Sequence, residues 1–257
     1  MGGFTFQAND LGMLISVALM ALGGRLLVIA RRNRSAPELL IGLYLMLSPP
    51  ATSLMMRVPR FDPALQADLQ LLAFLLMALS ALSLAGFAWR VFRPGALWAK
   101  CLTGLAALYF LGMTGLMALD VRALDVETRS LASRIALLLI YVWVFVECHL
   151  HRRMLVRRLR LGLADPVVVN RFLLFEIWSG VLAVLPGVIL LLAAAFDSTK
   201  SESYGSFFAV VVRITGFAIY AAMWLSFLPP KGYRHWIQRR HADRSAGQGE
   251  VARGLGA

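Results

Sequence analysis

Seven apolar stretches with arginine and lysine gathered in every second connection constrain this chain more than any other feature. Bilayer hydrocarbon is about 30 Å thick, so a helix needs roughly 20 apolar residues to cross it. The stretches lie near 11–30, 39–56, 69–89, 96–119, 135–151, 172–196 and 206–228. Lipid offers no partner to free backbone groups, so helices are the natural form of such spans. The alternating pattern of a membrane β-barrel is absent. The expectation is an all-α fold, a polytopic seven-transmembrane helix bundle over 1–228. A basic tail follows over 229–257.

The charge distribution sets an orientation. Segments 31–38, 90–100, 152–171 and 229–257 hold 18 basic and 4 acidic residues. Segments 1–10, 57–68, 120–134 and 197–205 hold 6 basic and 8 acidic. Cationic connections stay in the cytoplasm, which places the N-terminus outside and the C-terminal tail inside. The net charge of +12 therefore speaks for anionic lipid heads on the cytoplasmic side and against nucleic acid. Only 16% of residues are charged and mean hydropathy is +0.70, unlike a soluble domain of 257 residues. Met1 to Asp10 carry no Lys or Arg, so the basic region of a cleavable signal is missing. Cys101 and Cys148 both fall toward the reducing side, where a disulfide is not expected. Arginine outnumbers lysine 23 to 3, a bias of GC-rich bacterial genomes, which points to a bacterial inner membrane.

Local signals mark helix starts and interruptions. Asp62-Pro63 and Asp165-Pro166 read as N-cap followed by first-turn proline. Ser35 and Glu38 have capping-box spacing. Pro49 and Pro50 in span two, and Pro186-Gly187 in span six, predict kinks or a hinge lining a cavity. Trp89, Trp98, Trp178, Trp224 and Trp236 fall near inner span ends and read as an interfacial belt. The run from Lys231 to Arg240 suits an amphipathic helix on the inner leaflet, and Ala242–Ala257 is expected to be disordered.

Ionisable groups inside spans are costly and so are functional candidates. Glu147, Glu176 and Arg25 fall at one depth, about 10 Å from the inner boundary. Ser179, Gly180 and Ala183 follow Glu176 at helical spacing, and Ala18 and Ala21 precede Arg25. Small residues mark close helix contact, so both charges are expected to face the bundle and pair. His151 stands one turn after Glu147, a spacing that suits pH sensing or, with Glu176, a metal. The neighbouring basic run gives both His149 and His151 a plainer role as interfacial polar residues. Arg213 lies about 10 Å into span seven from the outer side, within reach of Asp120 or Asp197.

Span seven has no lysine for a retinal Schiff base, and no histidine occupies a span centre to ligate haem. Walker A, HExxH and GxSxG motifs are missing, so no enzyme activity or cofactor is expected. The topology is similar to that of G-protein-coupled receptors, but span three ends Trp89-Arg90-Val91 and span seven ends Leu228-Pro229-Pro230, without that family's motifs. The segments Arg157-Arg158-Leu159-Arg160, Asp165 to Phe172, and Pro229 to Trp236 resemble those of uncharacterised bacterial seven-helix membrane proteins. That resemblance implies the fold and no activity. The remaining expectation is a sensor or receptor for a small or lipid-borne ligand, switched by Arg25, Glu147, His151 and Glu176, with a protein partner for output. A proton-coupled carrier and an accessory subunit are the alternatives.

Overall fold

A computed structural model describes residues 8–58, 61–119, 126–195 and 202–241. Among these residues all regular structure is helical. The helices are α1 (Ala8–Asn33), α2 (Ala36–Arg57), α3 (Pro63–Phe92), α4 (Leu97–Ala118), α5 (Val126–Arg160), α6 (Pro166–Ala195) and α7 (Glu202–Phe227). A further helix, α8, covers 231–241. Six helices, α1 to α6, are long and apolar enough to cross a membrane. In α7 the described apolar part is Ile214–Phe227, shorter than a full crossing.

The helix ends follow from local chemistry. Asp62 accepts a hydrogen bond from Ala64 N at 3.0 Å, and Asp165 accepts one from Val167 N at 2.8 Å. Each carboxylate satisfies a first-turn N–H that the helix leaves without a partner. Ser35 departs from the capping-box expectation. Its hydroxyl donates to the Glu38 carboxylate, and no side-chain cap bond reaches the α2 backbone. At the end of α5, Gly162 adopts φ +71°, and Leu163 N returns to Arg158 O at 2.9 Å. A left-handed glycine followed by this backbone bond is a common helix stop. The prolines do not divide their helices. α2 continues through Pro49 and Pro50, and Thr52 donates its hydroxyl to Ser48 O at 2.9 Å just beyond them.

Packing closes a ring in the order α1, α2, α3, α5, α6, α7, with α7 returning to α1. α4 stands outside this ring against α3. It also reaches α5 through Trp98 on Trp143 and through a 3.3 Å bond between the Tyr109 and Ser133 hydroxyls. α1 and α2 approach most closely at Gly23 and Gly42. A Cβ on Gly23 would lie 2.8 Å from Gly42 O and 2.9 Å from Met46 N. α5 and α6 meet where Gly180 accommodates the Phe145 ring. Small residues thus let backbones come together where no water is available to drive association.

Aromatic side chains fill the ring. Phe175 contacts Phe87, Trp178 and Phe227, and Trp178 stacks on Tyr44 at 6.3 Å. Trp178 is fully buried and so does not belong to the interfacial belt expected from its position. Trp98 and Trp236 are half exposed, as membrane-surface rings would be. The turns after α1, α3, α5 and α7 gather at one end, which also holds most of the cationic side chains.

Candidate functional site

Two buried or half-buried carboxylates sit near the basic end, each held by an arginine that the charge pattern alone counts as a loop or interfacial cation. Arg93 caps α3, with its backbone N–H bonded to Trp89 O at 3.0 Å. The Pro94-Gly95 turn follows, so the side chain is free to swing toward α5. Its Nε lies 2.9 Å from Oε1 and 3.1 Å from Oε2 of Glu147. Glu147 is 2% exposed. A carboxylate at that depth requires a countercharge, which Arg93 supplies. The guanidinium also lies 5.8 Å from the centre of the Trp98 ring, tying the first turn of α4 to the same point.

His151 is one helical turn beyond Glu147. Its Nδ1 donates to the Glu147 backbone oxygen at 3.2 Å and stands 4.0 Å from the carboxylate. The imidazole lies between Phe92, at 4.9 Å, and Phe172, at 6.1 Å. It therefore touches the ends of α3 and α6 together. A second clamp joins α5 to α6. His149 Nδ1 donates to Glu176 Oε1 at 2.8 Å, Arg152 Nε donates to Oε2, and Arg152 Nη2 donates to Oε1 at 3.3 Å. His149 and Arg152 are three residues apart, so both project from α5 toward the same neighbour.

These contacts correct the expected pairing. Glu147 and Glu176 belong to separate clamps, and Arg25 is in neither. Arg25 is exposed on α1, on the side of Ala21 and Val28. The face of α1 that enters the bundle carries Leu22, Gly23, Leu26 and Ala30. Among the described residues no group of three His, Cys, Asp or Glu side chains is placed to hold a metal, and Glu147, His151 and Glu176 do not converge. Arg213 lies on α7, and its side chain, with Asp120 and Asp197, falls outside the described residues. Cys101 is exposed, Cys148 is buried, and both are free.

Neither a family model, nor a curated protein, nor a solved structure matches this chain. The site must therefore be read from its own chemistry.

That chemistry is that of a latch. Each carboxylate accepts charged hydrogen bonds from a guanidinium. Ser179, one turn past Glu176 on α6, donates its hydroxyl to Phe175 O at 2.6 Å and Glu176 O at 3.3 Å. Sequence reasoning found both anions and His151 but missed Arg93, His149 and Arg152 as their partners. The available signal was the spacing of His149 and Arg152 on α5, together with the shared depth of Glu176.

Proposed function

We propose that the chain is a seven-span protein of a bacterial inner membrane, N-terminus outside and C-terminus cytoplasmic, acting as a sensor. A small or lipid-borne ligand shifts the helices at the cytoplasmic end, and a protein partner reads the shift. The observation that carries this reading is the pair of clamps. Arg93–Glu147 fastens α3 to α5, and Arg152–Glu176–His149 fastens α5 to α6. Opening either one exchanges a part-buried ion pair for separated charges, so α5 has two discrete attachments that a ligand can bias. His151 lies between the α3 and α6 ends and transmits a change at one clamp to the other.

The test places spin labels at Leu97 and Leu161, both exposed, on opposite sides of the clamps. Distances are recorded in phosphatidylcholine vesicles and in vesicles of bacterial inner-membrane lipid extract. The expected result is a changed distance distribution in the extract. The combined Glu147→Gln and Glu176→Gln variant reproduces it in phosphatidylcholine alone. Identical distributions in all samples refute the proposal. Proton flux into liposomes that disappears in Glu176→Gln would assign a carrier instead.

A further inference from the structure

The second clamp borders a cleft of about 530 Å³ between the end of α5, the start of α6 and α8. Its lining includes Arg152, Arg160, Arg240 and His241, together with Trp236. Its walls are Val156, Val169 and Leu173. Among the described residues no carboxylate pairs with Arg160 or Arg240, and Arg240 instead lies 5.2 Å over the Trp236 ring. Arg152 gives Nε and Nη2 to Glu176, which leaves Nη1 for a second acceptor.

The surroundings increase the cation excess. Arg171 buries its Nε without a partner and stands near Arg234 on α8, with Asp165 as the opposing charge. Arg171 and Arg234 do not line the cleft but add to the positive field around it. α8 is nevertheless fixed in place, because Asn170 Nδ2 donates to the Tyr233 hydroxyl at 2.8 Å and Ile237 is buried. The cleft is thus a built recess, lined by apolar side chains and by three arginines.

We propose that this cleft binds an anionic phosphate group, presented by a phospholipid headgroup. Guanidinium forks match phosphate oxygens in geometry as well as charge. Basic pockets between helices at a cytoplasmic face suit anionic headgroups, and the valine and leucine wall suits the start of an acyl chain. Bound phosphate shares Arg152 with Glu176, so occupancy loosens the α5–α6 clamp. That last step rests on the sensor reading above, whereas binding itself does not.

The purified full-length protein is titrated with phosphatidylglycerol and with phosphatidylcholine, and bound lipid is counted by native mass spectrometry. Phosphatidylglycerol is expected to bind preferentially. The Arg160→Gln/Arg240→Gln variant is expected to bind it at least about 100-fold more weakly, from the loss of two charge-assisted hydrogen bonds to the phosphate. The Arg153→Gln/Arg157→Gln variant removes equal charge from exposed positions outside the cleft and is expected to retain affinity. Equal losses in both variants, or none in the first, overturn the proposal. Glycerol phosphate and inorganic phosphate are titrated in parallel. Binding of lipid alone identifies a headgroup, and equal binding of the soluble anions identifies a free phosphate as the source.

A second measurement does not depend on how the arginine variants fold. Brominated phosphatidylglycerol is expected to quench Trp236 more than brominated phosphatidylcholine, read as the difference from Trp236→Phe. Equal quenching overturns the assignment. Absence of binding with spin-label shifts intact removes the cleft and leaves the sensor reading standing.

Discussion

Replacing Gly23 by alanine tests whether α1 and α2 meet through their backbones. The added Cβ would lie 2.8 Å from Gly42 O, 2.9 Å from Met46 N and 3.1 Å from Leu45 C. All three neighbours are main-chain atoms, so no rotamer change relieves the clash. Ordinary van der Waals contact begins near 3.4 Å. The helices must therefore separate by about 0.6 Å, enough to forfeit a quarter or more of each contact well along the seam. Leu22, Leu26, Ile41 and Leu45 line that seam and are almost fully buried. Overpacking of this kind costs about 1–3 kcal/mol. Gly24→Ala is the matched control, since its Cβ would meet nothing closer than Met46 Sδ at 4.0 Å. Both substitutions carry the same gain in helix propensity. Their difference in unfolding free energy, measured in detergent by tryptophan fluorescence against denaturant, isolates the steric part. Gly23→Ala is expected to be the less stable by about 1–3 kcal/mol. Equal stability, or a more stable Gly23→Ala, would refute the close approach.

Other outcomes follow from the clamps, the cysteines and α8. Glu147→Gln removes the countercharge of Arg93, which is itself partly exposed, and is expected to cost about 1–2 kcal/mol. Amide exchange of the α3–α4 turn, followed by mass spectrometry, should rise in this variant and stay unchanged in Arg25→Gln. Maleimide should modify Cys101 in the folded protein and reach Cys148 only after denaturation, as read by peptide mass. Tyr233→Phe deletes the bond to Asn170, worth about 1 kcal/mol, and should speed tryptic cleavage within 231–241 several-fold. Gly180→Ala should destabilise less than Gly23→Ala, because the atoms it meets belong to the Phe145 side chain rather than to the main chain.

Helix positions were readable because hydropathy and length determine them together. Each expected apolar stretch lies essentially within one observed helix, and the aspartate caps at Asp62 and Asp165 form as their spacing implies. Rotation about the helix axis was harder to read. Arg25 and Gly23 are two residues apart, about 200° around α1, and the packing glycine rather than the alanines marks the inner face. Position along the helices set Glu147 and Glu176 toward the basic end, where Arg93 and Arg152 meet them. It did not reveal their partners, because Arg93 follows a helix stop and reaches back, while Arg152 extends from beyond the apolar span. Side chains that return toward the membrane from its edge carry no signature in a hydropathy profile. Trp178 failed for the opposite reason, since a tryptophan near a span end has the same hydropathy whether it faces headgroups or the core.

The length of α5 has a physical consequence. Its 35 residues extend about 52 Å, roughly 20 Å more than the hydrocarbon thickness of a bilayer. Glu147 stands about 20 Å from the C-terminal end of the helix and, on the span read from the sequence, about 10 Å inside the boundary between hydrocarbon and hydrated headgroups. In a thinner bilayer that boundary moves inward along the helix, water reaches the Arg93 contact, and the higher local dielectric weakens it. A thicker bilayer dries the contact and tightens it. In the orientation proposed above, the strength of the Arg93–Glu147 pair would therefore vary with membrane thickness.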